Sequence, residues 1–93
     1  MALQFEWDKR KAHLNLRRHG VSFNEATTVF RDMLSLTVPD PDHSESEKRF
    51  IDIGMSHLKR LVVVSYTERG DRIRIISARL PSQPERRQYE EAS

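Results

Sequence analysis

Arginines recur where a strand-forming sequence would ordinarily carry uncharged residues. Leu61-Val-Val-Val-Ser-Tyr-Thr67 and Ile73-Arg-Ile-Ile-Ser-Ala-Arg79 flank Glu68-Arg-Gly-Asp71, with Arg60 just ahead of the first run and Arg74 and Arg79 within the second. A guanidinium stays charged and presents a planar fork to two oxygens at once, which suits a phosphate. Arg60, Arg74 and Arg79 are therefore the leading cations for a phosphate-bearing partner. The same pattern fits structural arginines, since a charge on a half-buried sheet needs a counterpart, and Glu85 or Glu47 can supply one. Glu68 at the hairpin tip can accept a proton or simply belong to a solvated turn. Arg69 can neutralise Glu68 or anchor a flanking phosphate, and Lys59 and Arg72 extend the cationic stretch as further phosphate contacts.

A second constellation is His43-Ser44 with Glu47 and Arg49. An imidazole exchanges protons near neutrality, and Glu47 can orient it; the flanking Pro39 and Pro41 equally fit a surface loop. Ser44 has no nucleophile-elbow context. His57, in a turn between strands, can touch a polyanion or be merely exposed, whereas His19 before Gly20 reads as helix-end packing. Tyr89 can contact a phosphate or close a groove. Cysteine is absent, the four histidines form no short-range ligand pattern, and Asp40, Asp42, Glu45 and Glu47 do not match a calcium loop. Neither metal nor cofactor is expected.

These residues need a scaffold, and the pattern predicts one. Phe5-Glu-Trp-Asp8 alternates as a short edge strand or apolar anchor. Asp8 caps a helix over 9–19 that Gly20 ends, with Ala12, Leu16 and His19 as its inward stripe. Ser22-Phe-Asn-Glu25 fits a capping box, with Val21 and Ala26 as a hydrophobic staple, and Ala26, Val29, Phe30 and Met33 form the buried face of a second helix. Strands follow over 34–38, 48–55, 61–67 and 73–79, the last two joined through Arg69-Gly70. Ser82-Gln-Pro-Glu85 then caps a short helix running through Tyr89. The expected fold is α+β: two N-terminal helices packed on a four-stranded antiparallel sheet, with a short C-terminal helix and the sheet's second face free or partly free.

Ninety-three residues fit a single domain, 1–93. The composition, 37% hydrophobic and 32% charged, favours a folded soluble chain over a disordered one. A net charge of +2 is too small to argue for nucleic acid by itself, so the argument rests on distribution. Cations gather over 9–18 and 59–79, around the acidic stretch 40–47. Val62-Val-Val64 is too short to span a membrane and no signal peptide is visible, so the expected location is the cytoplasm.

Fragments spread over almost the whole chain resemble the BrnT family, the small ribonuclease toxins of type II toxin–antitoxin systems. They are Phe5-Glu-Trp-Asp8, Asn15-Leu-Arg-Arg-His-Gly-Val-Ser-Phe23, Glu25-Ala26, Val29-Phe30, Asp42-His43-Ser44, Glu47, Arg49, Ile53-Gly54, Ser56, Thr67-Glu-Arg-Gly70, Ile73-Arg-Ile-Ile-Ser-Ala-Arg79, Glu85 and Tyr89-Glu90. Each is weak alone; their order and spacing are specific. One departure is Lys59, where similar sequences often carry Gly. The resemblance implies a RelE-like endoribonuclease restrained by a BrnA antitoxin whose ribbon-helix-helix portion binds operator DNA, so this chain would reach DNA only through that complex.

Cleavage of RNA by its own 2′-hydroxyl needs in-line orientation, a proton acceptor and donor, and stabilisation of phosphorane-like charge. On that reading Arg60, Arg74 and Arg79 hold the charge, Glu68 or His43 moves a proton, and Lys59, His57, Arg69, Arg72 and Tyr89 contact RNA. The competing classes are a non-catalytic RNA-binding or ribosome-associated module, a structural partner protein, and a helix-turn-helix DNA binder built from the first two helices.

Overall fold

The computed structural model describes residues 3–40 and 48–92. In chain order the elements are β1 (Gln4–Glu6), α1 (Lys9–His19), α2 (Phe23–Thr28) running into a 3₁₀ turn (Val29–Arg31), β2 (Leu36–Pro39), β3 (Arg49–Met55), β4 (Leu61–Arg69), β5 (Arg72–Arg79) and α3 (Gln83–Ala92). The described strands form one sheet in the order β1-β5-β4-β3-β2, with β1 parallel to β5 and every other pair antiparallel. The expected four-stranded antiparallel sheet is thus corrected to a mixed five-stranded one. Phe5-Glu-Trp-Asp8 supplies the extra strand, and parallel pairing is available to it because α1, α2 and three strands intervene before β5.

The helix boundaries follow from their caps. Asp8 accepts hydrogen bonds from the Arg10 and Lys11 amides at 2.8 and 3.1 Å, and Gly20 ends α1 with φ of 71°, its N–H donating to Leu16. The inward residues of α1 differ from the expected stripe: Leu16 is exposed, while Asn15 is buried. Its amide donates to the Val21 and Ala78 carbonyls at 2.9 and 2.8 Å, and its oxygen accepts from the Ala78 N–H at 3.1 Å. Register pairing of β1 with β5 stops at Glu6 opposite Arg74, so Asn15 takes the place of a strand neighbour farther along the same edge.

Ser22 caps α2 by accepting from the Glu25 N–H at 3.0 Å. The helix gives way to the 3₁₀ turn at Val29, which rotates Met33 out of the expected buried face and leaves it 98% exposed. That turn lies against β3 at Gly54, where a Cβ would come within 2.8 Å of Val29 Cγ1. Only glycine admits so close an approach.

The sheet has two unlike faces. On one, Val21, Phe23, Ala26 and Val29 from the helical segments pack on Val62, Val64, Tyr66, Ile73, Ile75 and Ala78, with Phe5, Trp7, Phe30 and Phe50 around them. On the other, Tyr89 of α3 packs on Ile53, Leu61 and Val63, with Leu36 and Ile51 alongside. α3 therefore covers one half of the second face, the half nearer the β3–β4 turn.

Candidate functional site

Alternation along a strand decides which side chains share the half of the second face toward the β4–β5 hairpin. Thr67 of β4 stands opposite Arg49 of β3 and Arg74 of β5, and Arg74 stands opposite Glu6 of β1. The four lie in one row across four strands. Arg69, Arg72 and Gln4 form the next row toward the hairpin tip; Ser65 and Ser77 lie on the other side, and beyond them Arg79 sits opposite Val63. Spacing between strands is about 4.8 Å, which sets Arg49 and Arg74 about 10 Å apart at their backbones.

Arg74 and Arg79 share this face because of a bulge. Five residues apart, they would point to opposite sides of a regular strand. Ser65 pairs with Ser77 while Tyr66 pairs with Ile75, so Ile76 is the extra residue and the alternation inverts there. Consistently, Ile75 and Ala78, three apart, are both buried on the helical face.

Glu6 lies between two of the arginines. Its Oε2 is 3.1 Å from Arg74 Nη1 and its Oε1 is 3.6 Å from Arg72 Nη1. Arg79 makes a two-pronged pair with Glu85 at 2.7 and 2.8 Å, and Glu85 also accepts from the Ser82 N–H at 2.8 Å. The Arg79 guanidinium, ahead of the opposing effect of burial, holds the Glu85 carboxyl well below the usual range, at about 2, and the same pairing raises Arg79. Side-chain exposures of 32% for Arg74, 41% for Arg79 and 55% for Arg72 leave each guanidinium in reach of solvent.

Other expected members lie elsewhere. Arg60 precedes β4 at the far end of the strand, about 23 Å along it from Thr67 at the usual rise per residue. Its Nε and Nη2 donate to the two oxygens of buried Glu25 at 2.8 and 2.6 Å, and Nη2 also reaches the Gly20 carbonyl. Ser56 adds a 2.7 Å hydrogen bond to Glu25, so this cluster ties α2 to the β3–β4 turn. It does not join Arg74. Glu68 pairs in register with Ile73, a residue of the helical core, so it emerges on the face opposite Arg74. Its field contributes to the raised pKa of Tyr66, which follows chiefly from burial. His57 is in the β3–β4 turn against Thr28, and Lys59 is in the same turn. Tyr89, on α3, is buried against the sheet and donates to Asp32 Oδ2 at 2.6 Å, and its pKa rises to about 12 through burial and that carboxylate. Arg69 and Arg72 flank the Arg74 row. His43, with Ser44 and Glu47, lies outside the described residues.

Two members were not singled out from sequence. Glu6 carried a signal, because Phe5 and Trp7 on either side of it are apolar and so direct it to the opposite face. Arg49 was visible only as a neighbour of His43; strand alternation with Ile51 and Ile53 was the clue to its face.

A guanidinium row on a sheet, with one carboxylate in contact with it, can bind a phosphodiester and exchange a proton beside it. The family profile described as "Ribonuclease toxin, BrnT, of type II toxin-antitoxin system" matches residues 7–85. The chain belongs to the BrnT family. Membership carries with it a ribonuclease toxin whose family implies an RNA substrate and an antitoxin partner. The crystal structure of the Brucella abortus ribonuclease toxin BrnT superposes with a TM-score of 0.68 at 21% identity, covering 88% of this chain and 100% of the other. At that identity the likeness concerns the fold. No curated protein matches the chain. No described helix is long and apolar enough to cross a membrane.

Proposed function

We propose that this BrnT-family chain is a single-domain cytoplasmic endoribonuclease, RelE-like in its action, that cuts cellular RNA without a metal. The 2′-oxygen of one nucleotide attacks the adjacent phosphorus, the bond to the 5′-oxygen breaks, and the leaving oxygen takes a proton. The products are a 2′,3′-cyclic phosphate and a free 5′-hydroxyl. Arg74 clamps the reacting phosphate, Arg49 flanks it across the sheet, Arg79 lies farther along β5 on the same face, and Arg69 and Arg72 follow the chain toward the hairpin tip. Such contacts read the backbone, so base selectivity is modest. A BrnA-like antitoxin with a ribbon-helix-helix domain neutralises the chain and carries the complex to operator DNA.

The observation that supports this reading is the bulge at Ile76, which gathers Arg72, Arg74 and Arg79 on one partly exposed face. The test is incubation of the purified, antitoxin-free chain with a defined RNA in EDTA, followed by identification of the product ends. Cyclic-phosphate ends and loss of cleavage on 2′-deoxy substitution at the cut are expected. A persistent, salt-dependent complex with intact RNA would assign a binding module instead.

A further inference from the structure

We propose that Glu6 is the general base that takes the 2′-hydroxyl proton, an assignment that rests on the ribonuclease reading above. The clamp on a scissile phosphate and the base for its neighbouring 2′-oxygen must both reach the same nucleotide step, because that oxygen approaches the phosphorus it attacks, so a carboxylate beside the clamp satisfies the geometric condition. Glu6 Oε2 meets the condition at 3.1 Å from Arg74 Nη1.

Among the described residues, Glu85, Asp8, Asp32, Glu25 and Asp52 are committed elsewhere. Glu85 has both oxygens on Arg79 and one also on the Ser82 N–H. Asp8 caps α1. Asp32 accepts from Tyr89 and from the Met55 and Leu34 amides. Glu25 is buried with Arg60 and Ser56, and Asp52 is buried on the helical side under the hydroxyls of Thr37 and Tyr66. Glu68 emerges on the wrong face.

Glu6, by contrast, is 26% exposed at its side chain and stands in the arginine row by strand register. Its pairing need not be broken for substrate to bind. A guanidinium has five N–H donors in a flat fork, so Arg74 can keep Glu6 on one edge and take a phosphate oxygen on another. Arg72, at 3.6 Å from the second carboxylate oxygen, limits rotation of the carboxylate away from the site. In the reaction the 2′-hydroxyl proton passes to Glu6 as the 2′-oxygen to phosphorus bond forms and the bond to the 5′-oxygen breaks; the leaving oxygen takes a proton from water, and Glu6 then returns its own to solvent.

The test compares wild type with Glu6→Gln and Glu6→Asp on a defined RNA, following kcat, KM and, with a 2′-deoxy substrate that cannot react, Kd. Glu6→Gln keeps a hydrogen bond to Arg74 and should hold Kd within about threefold while kcat falls about 100- to 10,000-fold. Glu6→Asp keeps the charge but shortens the reach, and a smaller fall in kcat is expected. If Glu6 only tied β1 to β5, Glu6→Gln would cleave at nearly the wild-type rate, or both variants would lose thermal stability and RNA affinity along with activity; either result overturns the assignment. Wild-type protein that binds RNA and never cleaves it overturns the ribonuclease reading and this inference with it, so the two failures are distinguishable.

Discussion

Replacing Glu85 by Gln tests whether α3 is held to the sheet by charge. Glu85 falls from the usual 4.5 to about 2 because Arg79 grips both its oxygens. At roughly 1.4 kcal/mol per pH unit that fall corresponds to about 3 kcal/mol of stabilisation as an upper bound. Arg79 is 41% exposed, and solvent screening of such a pair brings the expected value down to about 1–2 kcal/mol. The sign is fixed by direction. A carboxyl whose folded pKa is depressed contributes fully above its unfolded value and loses the contribution as pH falls toward its folded one. Wild type should therefore exceed Glu85→Gln by about 1–2 kcal/mol at pH 7, a difference of about 4–16 °C in Tm for a domain of this size. The gap should narrow below pH 4.5 and close near pH 2. Urea unfolding followed by circular dichroism at several pH values measures it. Equal stabilities at pH 7, or a gap that persists undiminished at pH 2, would refute the reasoning.

Lys59→Gly should stabilise the chain by about 0.5–1 kcal/mol, because Lys59 sits at φ of 63° where glycine pays no Cβ penalty and gives back part of the gain as chain entropy; thermal melts check this. Asn15→Ala should cost about 2–4 kcal/mol in urea titration, since it strands the Val21 carbonyl and both polar groups of Ala78 in a buried setting. Hydrogen exchange at the Ala78 amide should speed up in the same variant.

Local signals in the sequence were strong where the physics is local. Asp8 and Gly20 bound α1 at the residues where it begins and ends, and the Ser22 and Ser82 caps are both made. Tertiary demands changed the rest. Glu25 completes no reciprocal cap because Arg60, 35 residues away, takes its carboxylate. Asn15 is polar and so invisible to an apolar stripe, yet it is the buried residue of α1. The parallel partner of a three-residue strand is set by the packing of Phe5 and Trp7 with Phe30 and Phe23, which no short-range pattern reveals. The arginines of β5 were legible as a cationic strand. Their common face was not, because regular alternation sets Arg74 and Arg79 on opposite sides and a single extra residue, Ile76, reverses that. For the same reason Glu68, a neighbour in sequence, is excluded from the row that Glu6 enters from the other end of the chain.

The central claim is that the Arg74 row is the RNA-cleaving surface, and the rate of cleavage of a defined RNA in EDTA by antitoxin-free wild type and by Arg74→Ala tests it most directly. The account predicts cyclic-phosphate products from wild type and a rate about 100- to 1,000-fold lower in the folded variant, as expected when one donor to a developing anionic charge is removed. An Arg74→Ala protein that melts like wild type and cleaves like wild type would contradict it.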